Sequence, residues 1–154
     1  MASAQPVPSV VMFALCESVD RDLTTGLLTM TGVAGGGPWN IDRLSFPSPF
    51  GRLFAYIVLT GVHGVFKFDL RLAPLSGASG GRQHCAVRAA SPRDYCELVV
   101  PLSHWKMDHP GEYALELLVQ EAQIATRRFT ARQILVRPPG GGDGGKGEGG
   151  PKKG

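Results

Sequence analysis

The stretch from Pro110 to Val136 constrains the fold more than any other part of the chain. It opens Pro-Gly-Glu-Tyr-Ala-Leu-Glu-Leu-Leu-Val and reads as a turn, a strand, a short polar connection and a returning strand. Tyr113, Leu115, Leu117 and Val119 share one parity, while Glu112, Ala114, Glu116 and Gln120 share the other. Strand side chains point alternately to opposite faces, so this spacing buries one face and wets the other. A terminal hairpin of this kind closes many small β-sandwiches. It defines an architecture and carries no chemistry.

The same period recurs upstream. Phe66, Phe68, Leu70 and Leu72 alternate with Lys67, Asp69 and Arg71, and Leu28 and Met30 alternate with Thr29 and Thr31. Residues Val10 to Val19 are apolar on both parities until Glu17, which suits a strand covered on both sides or bending between sheets. The turn Asp20 to Gly26 pairs this strand with Leu27 to Val33 as a hairpin. Arg52 to Thr60 is a strand followed by a hairpin-like turn at Gly61-Val62-His63-Gly64. His84 to Ala89 and Tyr95 to Leu102 are shorter strands joined through Ser91-Pro92-Arg93. Ala34 to Gly51 and Pro74 to Gln83 read as irregular loops. Ser103 to His109 reads as a polar connection with room for one turn of helix.

About eight strands, with turn signals at intervals of about ten residues, predict an all-β fold. The arrangement expected is a two-layer, mostly antiparallel β-sandwich, with a β-barrel as the alternative. Its limits are residues 10–137, after an N-terminal arm at 1–9 and before a Gly-rich tail at 138–154. Gly and Pro make up 33 of the 154 residues, and 12 of them fall in that tail. So little apolar side chain cannot offset the entropy of ordering, and a disordered tail is expected.

Composition excludes some functions. The net charge is +3, of which the tail supplies +1 through Lys146, Lys152 and Lys153 against Asp143 and Glu148. The body then lacks the clustered basic stripe that nucleic acid requires. No segment approaches the roughly eighteen apolar residues of a membrane-spanning helix, so no membrane partner is expected. The apolar run from Val10 to Cys16 has no basic start and leads into Glu17, unlike a secretory signal. Three cysteines, Cys16, Cys85 and Cys96, fit buried free thiols in a reducing compartment, which predicts a cytoplasmic protein.

Several constellations invite a chemical reading. His84, Cys85, Cys96, His104 and His109 fall within 26 residues. Zinc ligands usually come in pairs two to four residues apart, and the only close pair here is adjacent, so its side chains diverge in a strand. Buried thiols and surface histidines are the better reading, and no metal or other cofactor is expected. Cys85 and Cys96 could face each other on adjacent strands, although reduced neighbours suit a cytosolic protein better. The run Gly35-Gly36-Gly37-Pro38 is no phosphate loop, because Pro38 removes a donor and no helix pattern follows. Glu17, Asp20 and Asp22 have a spacing that could suggest a calcium loop, but Arg21 sits among them and ordinary turn chemistry is favoured. The aromatics Trp39, Phe46, Phe50 and Trp105 lie in loops or at strand ends. Exposed, they would form a binding patch; buried, they would plug the open ends of the sandwich.

Phe13-Ala14-Leu15-Cys16-Glu17-Ser18-Val19 followed by Thr25-Gly26-Leu27-Leu28-Thr29-Met30-Thr31-Gly32-Val33 resembles the start of a family of small uncharacterised bacterial proteins. Phe46-Pro47 stands where that family has a Phe-Pro loop, and the Pro-Gly-Glu-Tyr hairpin is similar to its C-terminal half. The resemblance spans Val10 to Val136, with the triple glycine as a departure. It implies a bacterial sandwich domain of unknown function and no particular activity. The functional expectation is a non-enzymatic protein-interaction or accessory module, self-associating through an edge strand or an aromatic loop face. The alternatives are a small-ligand or metal-dependent catalytic domain at His84 to His109, and a structural component of a larger assembly reached by the Lys-tipped tail.

Overall fold

A computed structural model of the chain describes residues 6–33, 39–75 and 80–135. The triple glycine, the centre of the 74–83 loop and the tail lie outside the described residues. Within them there is no helix, and twelve strands make an all-β fold. They are β1 (Ser9–Cys16), β2 (Ser18–Arg21), β3 (Leu28–Thr31), β4 (Trp39–Arg43), β5 (Ser48–Pro49) and β6 (Phe54–Thr60). The second half adds β7 (Gly64–Pro74), β8 (Arg82–Ala89), β9 (Cys96–Pro101), β10 (Lys106–Met107), β11 (Gly111–Val119) and β12 (Ala122–Gln133).

Two sheets carry the structure. One has the order β1-β6-β9 and the other β4-β12-β11-β7-β8, with two-stranded ribbons β2-β3 and β5-β10 beside them. Every pairing is antiparallel except β4 with β12, which is parallel. The inward parities read from the sequence fill one core. Phe66, Phe68, Leu70 and Leu72 of β7 and Tyr113, Leu115, Leu117 and Val119 of β11 meet Phe13 and Leu15 of β1 and Ala55, Ile57 and Leu59 of β6. Each large side chain so buried contributes ~1.5–3 kcal/mol, and this layer between the sheets dominates the cohesion of the fold.

Alternation gave the inward faces correctly and partners less well, and on β11 the parity expected to be wet is partly covered, with Ala114 and Leu118 both buried. The turn at Gly61 to Gly64 is not a hairpin: it carries the chain from β6 in one sheet to β7 in the other. Ser91-Pro92-Arg93 makes the same kind of crossing from β8 to β9. The two crossings brace each other through Gly61 N–H, which donates to the Pro92 carbonyl at 2.9 Å. The first hairpin is shorter than the sequence predicts. Only β2 and β3 pair within it, while β1 breaks away at Glu17 to pair with β6. Phe13 to Cys16 are buried on both parities, as a doubly covered strand requires. Ala34 to Gly51 contains β4 and β5, and Ser103 to His109 contains β10 in place of a helical turn.

The sheets also approach at their sides, which gives the sandwich a curled, barrel-like cross-section. β8 lies beside β9, and β1 lies against β12. Along the β1 side no strand ladder forms. Instead Arg127 Nε donates to the Phe13 carbonyl at 2.5 Å, and its guanidinium lies 5.9 Å from the Phe13 ring centroid. β4 takes over beside β12 from Phe129 onward. Its other edge pairs with no described strand.

Candidate functional site

The aromatics singled out in the sequence form a plug. Phe50 and Trp105 are 1% and 5% exposed, so neither offers a partner any surface. Phe50 packs edge-on against Trp105 and Phe129, and Phe129 in turn meets Trp39 edge-on at 6.1 Å and stacks on Tyr113 at 5.5 Å. Trp39 and Phe46 are half-buried against this cluster. Gly81 lets the plug close: a Cβ there would sit 2.6 Å from the Trp105 indole nitrogen. Of the four aromatics, Trp39 and the almost wholly buried Phe50 line grooves at the surface.

The histidines and thiols do not converge. Among the described residues no group of three or more His, Cys, Asp or Glu side chains could hold a metal ion. Cys85 and Cys96 stand on strands of different sheets, and both are free, as is Cys16. Burial, and then the Asp69 charge, push the Cys85 thiol up to about 11; burial raises Cys16 and Cys96 as well. A thiol so raised stays protonated near neutrality and is a poor nucleophile. His104 packs beside Trp105, while the His109 backbone is clasped by the Tyr113 hydroxyl, which donates to its carbonyl at 2.6 Å. The acidic turn does turn chemistry: Asp22 Oδ1 accepts from the N–H groups of Thr24 and Thr25, and these bonds lower its pKa.

His84 belongs to a paired ladder on the outer face of the five-stranded sheet. Its Nδ1 is 2.5 Å from Asp69 Oδ1, and Arg82 binds both Asp69 and Glu121. Burial raises the Asp69 pKa, but the Arg82 and His84 hydrogen bonds outweigh it and hold the carboxyl low. Arg71 with Glu116, and Arg132 with Asp42, continue the pattern. Solvent screens such surface pairs, so they add little to stability, but they leave these carboxylates engaged.

The unengaged chemistry lies along β4. In a strand, successive residues present N–H and C=O to alternate sides. Ile134 N–H donates to the Arg43 carbonyl at 2.9 Å, so residues 39, 41 and 43 face β12 and residues 40 and 42 face outward. A groove of about 250 Å³ is lined by all five residues of β4 together with Glu17 and Leu53. The groove runs into a wider cleft of about 360 Å³, where Arg43 and Leu53 are joined by Arg52, Ser18, Thr31 and Phe50. Arg43 spans the junction, donating to the Asp42 carbonyl at 2.9 Å and the Phe50 carbonyl at 3.2 Å. Neither Arg43, Arg52 nor Glu17 has an ion-pair partner among the described residues. Glu17 lies over Gly32, whose φ of +63° and lack of a Cβ allow the approach.

Sequence reasoning passed over Arg43, Arg52 and the free edge. The signal was present as Trp39-Asn40-Ile41-Asp42-Arg43, a short alternation, but it sat between glycines and prolines. Exposed Leu44 and Ile134 flank the end of β4. No helix among the described residues is long and apolar enough to cross a membrane. No family model and no curated protein matches the chain.

Proposed function

We propose that the protein is a non-enzymatic interaction module of a reducing, cytoplasmic compartment that captures a partner along the outward edge of β4. The observation that carries this reading is the unpaired edge itself. β1, β8 and β9 end against the opposite sheet, whereas β4 presents outward N–H and C=O groups into a groove. Unpaired strand edges add a strand readily. The half-buried Trp39 within the groove and the exposed Leu44 and Ile134 beside it supply apolar contact. The lining holds two arginines and two carboxylates, Glu17 and Asp42, but no histidine or thiol, which favours binding over catalysis. Free thiols support the compartment assigned.

Panning a random peptide library against the immobilised chain tests the reading, with Asn40→Pro as the control. Asn40 N–H faces away from β12, so proline there removes an outward donor and leaves the β4–β12 ladder intact. The chain should enrich strand-forming peptides, or self-associate in sedimentation, and Asn40→Pro should abolish either behaviour at an unchanged melting temperature. A monomer that enriches nothing would contradict it.

A further inference from the structure

We infer that the β4 groove takes an extended acidic segment of a partner protein, with an Asp or Glu side chain seated between Arg43 and Arg52. This rests on the edge-capture reading and names the partner's chemistry.

Shape selects a single strand. Glu17 and Leu53 line the groove together with all of β4, and its volume of about 250 Å³ suits one extended segment better than the edge of a second folded sheet. Five residues of β4 offer about 16 Å of edge, enough for a short strand to run in register.

Charge selects an acidic side chain. Of the carboxylates nearby, Asp42 is held by Arg132 through two bonds of 2.8 and 3.1 Å. Glu17 then stands alone against Arg43 and Arg52, a local surplus of one positive charge in the cleft. The hydroxyl-bearing Ser18 and Thr31 line the same cleft.

Arg43 couples the two kinds of recognition. In the unbound chain its guanidinium is spent on two neutral carbonyls, those of Asp42 and Phe50. A carboxylate is the stronger acceptor, since charge-assisted bonds to guanidinium are shorter and often bidentate. When Arg43 turns to an incoming carboxylate it releases the Asp42 carbonyl, which faces the edge and can then accept an N–H from the incoming strand. An unoccupied edge is meanwhile shielded by the arginine, a common protection against unwanted pairing.

Fluorescence anisotropy with short labelled peptides of alternating Thr and Val, carrying a central Glu, Gln or Lys, tests the inference. The Glu peptide should bind about tenfold or more tightly than the Lys peptide, and added salt should shrink the difference. Arg52→Gln should remove most of the Glu preference while changing Gln-peptide affinity less than about twofold. Arg52 is exposed and makes no ion pair, so that variant folds; equal melting temperatures confirm it. Equal binding of all three peptides would overturn the acidic assignment and leave edge capture standing. A dimer that Asn40→Pro dissolves, with no peptide bound, would replace the partner by a second copy and overturn the inference. No peptide binding, no library enrichment and a strict monomer would remove both readings together.

Discussion

The two halves of β12 are bordered in opposite ways. Its first half meets β1 without a ladder, and the junction is closed by one side chain, Arg127, bonded to the Phe13 carbonyl and lying over the Phe13 ring. Its second half is bordered by β4 in a regular parallel ladder, yet β4 itself ends in the open. Side chains can therefore seal a sandwich where strands do not pair, and a well-formed ladder can still leave an edge available. A second junction repeats the first lesson. Arg21 of β2 binds Glu97 of β9, and the Tyr56 hydroxyl of β6 donates to the same carboxylate at 2.6 Å, which ties the β2-β3 ribbon to the smaller sheet.

The comparison breaks most visibly at Phe13, which is both core and seam. Phe13→Ala should cost about 3–5 kcal/mol, read from urea unfolding, because a large buried ring is lost with little room for collapse. A loss below about 1 kcal/mol would mean that the β1 junction is not closed.

Next in size is the Tyr56 junction, which pH can probe. Burial, and then the Glu97 hydrogen bond, push the Tyr56 phenol up to about 12. This lies above the unfolded value of about 10, so its contribution to stability is complete below about pH 10 and is lost as pH rises through 12. Glu97 has the opposite sign. The Tyr56 bond, against a smaller effect of burial, and then Arg21 hold its carboxyl low. Its contribution is present above the unfolded value near ~4.3 and is lost as pH falls through the depressed folded one. An ultraviolet difference titration of the chain against Tyr56→Phe should place the phenol midpoint at about 12. A midpoint near ~10 would dissolve this junction.

The smallest effects separate the two arginines that cross open borders. Arg127→Ala should destabilise by about 1 kcal/mol, since it removes a hydrogen bond and a ring contact at a closed seam. Arg43→Ala should stay within about 0.5 kcal/mol, because the carbonyls it leaves border an open groove that water can enter. Thermal denaturation of the pair measures both, and equal losses would erase the distinction between sealed and open borders.

Much of this was legible in advance for a physical reason. Phe66 to Leu72 carries long, uninterrupted alternation, Tyr113 to Val119 a version broken by Ala114 and Leu118, and such patterns report the inward face. They do not report which strand lies alongside. That is why Gly61 to Gly64, with hairpin composition, turns out to cross between sheets, and why β1 leaves its expected partner for β6. The candidate site was less legible still. β4 is short, its five residues lie in a stretch dense in glycine and proline, and the openness of an edge depends on topology that no local pattern encodes. Aromatic residues drew notice as binding candidates, but Phe50 and Trp105 serve the core, whereas Arg43 and Arg52 carry no motif.

Amide hydrogen exchange along β4 in the isolated chain tests the open edge most directly. The Ile41 and Arg43 amides, turned toward β12, should be protected, while those of Asn40 and Asp42 exchange far faster and slow only when a strand-forming peptide is added. Equal protection at all four positions in the isolated chain would show that the edge is already covered, and the account would fail there.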